Sequence, residues 1–95
     1  MHKYLIVAAT NKTLTIGNFP KLIEFLRSKK TGCSHVTRLN GMVVLFCHEL
    51  DVVSIKETFP SLLDSKDEVA LFEILGGEHQ LNGAVKNHVE AFLDA

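Results

Sequence analysis

The sequence predicts a small α+β domain, and three observations predict it. An Asn40-Gly41 pair sits between two β-prone runs. Two segments with apolar residues at helical spacing flank that pair. Short apolar runs rich in Val, Ile and Leu stand near the start and three-quarters of the way along. Asn-Gly is the preferred centre of a two-residue hairpin, because both of its residues must take positive φ. Apolar side chains three and four apart mark one helix face, and short continuous apolar runs mark buried strands.

The elements follow in order. Lys3 to Ala9 reads as a first strand, bounded by Thr10-Asn11-Lys12. Thr13 to Ile16 alternates and fits either a brief strand or a structured loop. Pro20 then stands at a first helical position, where its missing N–H costs nothing. Phe19, Leu22, Ile23 and Leu26 make the stripe of this helix and Phe25 widens it. Lys29 and Lys30 suit its last turn and Gly32 its stop. Ser34 to Leu39 and Met42 to His48 form the hairpin strands. Asp51 caps a second helix bearing Val52, Ile55 and Phe59, ended or kinked by Pro60. Val69 to Leu75 is the last strand, closed by Gly76-Gly77. Asn82 opens a terminal helix with a Val85, Val89, Phe92 stripe. The order β-α-β-β-α-β, followed by an extra C-terminal helix, predicts a ferredoxin-like antiparallel sheet over residues 1–95 as one domain.

Composition bounds the function classes. The chain has 95 residues, 46% of them apolar, and a net charge of −1. A domain of this size buries only about 60–65% of its unfolded surface. No apolar run approaches the ~20 residues of a membrane span. The first dozen residues lack a cleavage site of the secretory kind and read as a strand. Two cysteines, Cys33 and Cys47, are fewer than the four or more typical of a small disulfide-framed secreted domain, so the expected location is the cytoplasm. Charge is divided along the chain. Seven Lys/Arg and one Glu fall in residues 1–48, against three Lys and ten Asp/Glu in residues 49–95. Such a division suits head-to-tail self-association or an anion-binding basic face. Arg27, Lys29, Lys30 and Arg38 are the candidate anion contacts. Nucleic-acid reading by stacking has little to draw on, with Tyr4 the single Tyr and no Trp.

A two-residue Asn-Gly turn sets Leu39 opposite Met42, Thr37 opposite Val44, His35 opposite Phe46 and Cys33 opposite His48, all on one face. In that register Cys33 and Cys47 lie on opposite faces and form no intrachain disulfide. Cys33, His35 and His48 converge, and thiolate with two imidazoles is a donor set for zinc, although a fourth ligand is missing. No catalytic motif stands in the chain: Gly76-Gly77 lacks phosphate-loop spacing, and Asp64, Asp67 and Glu68 read as a solvated turn. Met42, Val44 and Phe46 would occupy one face of the third strand, and Val43 and Leu45 the other. Only one set can meet the two crossover helices. The other needs the terminal helix or a second subunit, and a homodimer is the expectation.

The run YLIVAATNK, the amphipathic helix, the Asn-Gly hairpin ending MVVLFCHE, and LDVVSIKETFPSLLDSKDEVALFEI together resemble the small ferredoxin-like proteins related to the CRISPR-associated integration subunit, including its SinR-like relatives. The resemblance covers about three-quarters of the chain and rests on pattern. It implies a metal-dependent nuclease-like enzyme or toxin, with an acidic residue closing the first strand and a metal at a dimer interface. Here Ala8, Ala9 and Thr10 hold those positions. The leading expectation is therefore a non-catalytic, homodimeric interaction or regulatory module with no resident cofactor. A small-ligand or anion sensor is a further alternative.

Overall fold

The computed structural model describes residues 2–8, 12–28, 37–39, 41–76, 80–82 and 85–94. The chain runs β1 (His2–Ala8), α1 (Pro20–Leu26), β2 (Thr37–Leu39), β3 (Val43–His48), α2 (Val52–Thr58), a 3-10 turn (Phe59–Leu62), β4 (Val69–Ile74) and α3 (Val85–Asp94). It is an α+β fold around an antiparallel sheet in the order β2-β3-β1-β4. β1 and β3 lie inside the sheet, while β2 and β4 are its outer strands.

Alternation along β1 divides the interior into two layers. Tyr4, Ile6 and Ala8 point to one face and are buried with Val44 and Phe46 of β3, Leu22, Ile23 and Leu26 of α1, and Ile55 of α2. The opposite face carries a smaller cluster, in which Leu45 and Cys47 of β3 are buried against Phe92 of α3, with Leu5, Ile74, Val89 and Leu93 around them. α3 therefore supplies cover for a sheet face that the two earlier helices cannot reach. Lys3 fixes its far end: the ammonium donates to the carbonyl of Leu93 at 2.6 Å and lies 5.8 Å from the centre of the Phe92 ring. A cation at a helix C-terminus meets both unsatisfied carbonyls and the negative end of the dipole.

Local chemistry explains the helix ends. Asp51 accepts from the Ser54 N–H at 2.9 Å, an N-cap that holds its carboxyl below the ordinary carboxylate range. The Ser54 backbone and side-chain hydrogen bonds are the main causes. α1 ends at Leu26, before the Lys29-Lys30 turn that the sequence suggested. Arg27 N–H bonds to Ile23 and Glu24 carbonyls and Ser28 N–H to Phe25, a tightened final turn. The Thr13–Ile16 segment is a loop. Leu14 is buried, and its N–H donates to the Gly41 carbonyl.

The hairpin differs from expectation by one residue. Leu39 pairs with Val43, Arg38 with Val44 and Thr37 with Leu45, so three residues, 40–42, make the connection. Gly41 does take positive φ, at 72°. Met42, however, continues the β1 ladder: the Ala8 N–H donates to its carbonyl at 2.8 Å. With the neighbouring Gly41 carbonyl taken by Leu14, contacts beyond the hairpin override its preference for a two-residue loop. A shift of one residue exchanges the faces of β2 relative to β3.

Candidate functional site

The register shift reorganises the candidate metal residues. His48 lies on the α1/α2 side of the sheet, whereas odd-numbered β3 positions face α3. Its imidazole is buried, stacked on Phe25 with ring centres 5.0 Å apart, and its Nδ1 accepts from the Leu50 N–H at 3.0 Å. Cys33 and His35 lie outside the described residues, and the face-sharing that gathered them with His48 belonged to the other register. Among the described residues no group of three His, Cys, Asp or Glu side chains is arranged to hold a metal. Cys47 is disulfide-bonded, which corrects the expectation that the two cysteines remain apart as thiols. That expectation assigned them to opposite faces, and the one-residue shift removes its basis. It also weakens the cysteine count as a sign of a reducing compartment.

The other candidates spread over the molecule. Val44 and Phe46 are buried in the larger core, Met42 packs against it, and Phe46 stacks on Tyr4 at 5.2 Å. Leu45 is buried beneath α3, and Val43 is half-buried. These side chains are covered largely within the chain itself. Of the basic residues, Arg27 is exposed just beyond α1 and Arg38 occupies the middle of β2. Lys29 and Lys30 lie outside the described residues. The β1 strand ends at buried Ala8, whose methyl offers no donor atom, and Ala9 and Thr10 lie outside the described residues. A metal held by a carboxylate at that strand end does not fit this chain.

Several polar groups are tied into structure. The Tyr4 hydroxyl donates to the Leu50 carbonyl at 2.7 Å, and burial pushes its pKa up to about 12, helped by the negative charges of Glu73 and Asp51. His2 Nδ1 lies 3.1 Å from Glu73 Oε1 across the β1–β4 pair. Asp67 accepts from the Asp64 N–H at 2.8 Å and from Lys12 at 3.1 Å, which holds its carboxyl below the ordinary range, the Asp64 backbone being the main cause. The acidic turn thus anchors the Lys12 loop.

Sequence reasoning missed the surface of β4. Ala70, Phe72 and Ile74 alternate onto the α3 side, and of these three Ile74 is, among the described side chains, the one that packs with Val89, Phe92 and Leu93 of α3. Phe72 is 55% exposed on this outer strand, and Leu75, just beyond it, is 86% exposed. Half-buried Val7 and Val43 continue the apolar strip inward from Ala70. The signal was present in the run VALFEI, whose Ala70, Phe72 and Ile74 make one wholly apolar face while Glu73 interrupts the other. Comparison with family models, with curated proteins and with solved structures gives no match.

Proposed function

We propose that this chain is a non-catalytic interaction module that works as a homodimer, joined along β4. The observation that carries the reading is the exposed Phe72 on an outer strand whose neighbouring side chains on that face, Ala70 and Ile74, bear no charge. Outer strands are ordinarily protected by Lys, Pro, a bulge or a covering element, because their free N–H and C=O groups accept another strand. Two copies of β4 pairing antiparallel about a two-fold axis satisfy those groups on both chains at once and bring two Phe72 rings to one seam. A two-fold contact uses the same patch twice, and two-fold closure is the commonest oligomeric solution. The strand order and the two crossover helices support a ferredoxin-like assignment for the fold, a frame whose outer strand is open to such pairing.

Sedimentation of wild type and two variants tests the reading. Phe72→Asp places a charge at the seam and is expected to give folded monomer. Val53→Asp, at an equally exposed apolar position on α2, is expected to leave the dimer intact. Wild type and Phe72→Asp sedimenting alike contradicts the assignment.

A further inference from the structure

The opposite side of β4 carries a separate feature. Between α2, its 3-10 turn and β4 lies a groove of about 330 Å³. Val52, Phe59, Leu63, Val69 and Leu71 form its apolar walls, and among the described residues Lys56 is the one charged residue lining it. This volume is at the small end of the ~300–1,000 Å³ range of ligand pockets, and such sites combine apolar walls with few polar groups. Positions 52, 56 and 59 share one helix face, so an ammonium stands where the stripe would otherwise be apolar. Among the described residues no carboxylate lies within ion-pair distance of Lys56.

We infer that this groove binds an amphipathic organic monoanion, a short hydrocarbon chain ending in a carboxylate. The chain lies against Phe59, Leu63, Val69 and Leu71, and the carboxylate meets Lys56 at the rim. A neutral chain of equal length fills the walls but leaves the ammonium unpaired, and a cationic chain is repelled. Charge at one end of an apolar groove thus sets both orientation and class of ligand. The site does not depend on the proposed dimer, which uses the free edge and opposite face of β4.

Titration of the full chain with octanoate, 1-octanol and octyltrimethylammonium, followed on side-chain methyl resonances, tests the assignment. Octanoate is expected to shift the methyls of Val52, Val69 and Leu71, with octanol binding about fivefold more weakly, the factor for one solvent-accessible ion pair. Lys56 is exposed, so Lys56→Met is expected to keep the fold, weaken octanoate by about fivefold and leave octanol unchanged. Lys56→Arg should retain octanoate binding. Unmoved methyls, equal affinity for octanoate and octanol, or indifference to Lys56→Met overturns the assignment. The Phe72→Asp monomer should still bind octanoate; loss of binding there places the ligand at the dimer contact and also overturns it.

Discussion

At the scale of single residues, two positions show backbone and burial acting through one atom. Gly41 has φ of 72°, and a Cβ there would stand 3.1 Å from both Cβ and Cγ2 of Thr13. Conformation and space therefore oppose any side chain. Gly41→Val is expected to cost about 1–3 kcal/mol, read from urea unfolding, because a β-branched residue is strained in the left-handed region. Equal stability would show that the turn relaxes freely. Tyr4 offers a direct optical check, since it is the chain's single tyrosine. Its phenol stays neutral up to about pH 12 in the folded protein, against about 10 in an unfolded chain. A raised pKa on an acid means that the folded state favours the neutral form. This contribution to stability is complete below pH 10 and is lost as pH rises from there towards 12. Phenolate absorbance is expected to appear near pH 12 in native protein and near pH 10 in denaturant. Coincident titrations would contradict the buried Tyr4–Leu50 hydrogen bond.

Among the elements, α3 carries the most consequence for its length. Phe92 is buried between Leu45 and Cys47, and Lys3 bonds to the Leu93 carbonyl where the helix ends. Truncating a buried aromatic costs about 3–5 kcal/mol. Phe92→Ala is expected near the lower bound, since this satellite layer is thin, and the loss is measured by urea unfolding. A change below about 1 kcal/mol would mean that α3 is not a structural cover. Most elements were legible in the sequence because each has a local cause: Pro20 at the start of α1, the Asp51 cap of α2, the apolar run of β1. The β2–β3 register was not legible. The Asn-Gly pair favours a two-residue loop, but the β1 ladder claims Met42 and the Leu14 loop takes the Gly41 carbonyl. Those partners come from elsewhere in the chain, and no local pattern announces them. The candidate trio of Cys33, His35 and His48 depended on that register. The exposed strip on β4 was legible in principle from VALFEI, but its exposure depends on how far α3 reaches, which is a matter of packing.

For the whole molecule, the two faces of β4 present different surfaces. The side towards α2 lines a groove with Lys56 at its rim, while the other side and the free edge present Phe72. Phe72 is 55% exposed, so burying it in a dimer recovers about 1–1.5 kcal/mol per chain, before the backbone pairs of the joined strands are counted. Association must also overcome lost rigid-body freedom, so the proposed dimer is expected to depend on concentration. No helix among the described residues is long and apolar enough to cross a membrane. Light scattering from the wild-type chain at high micromolar concentration is the most direct test of this account. A molar mass twice that of the 10.6 kDa chain, falling to the single-chain value on dilution or with Phe72→Asp, is the predicted result. A single-chain mass at every concentration would contradict it.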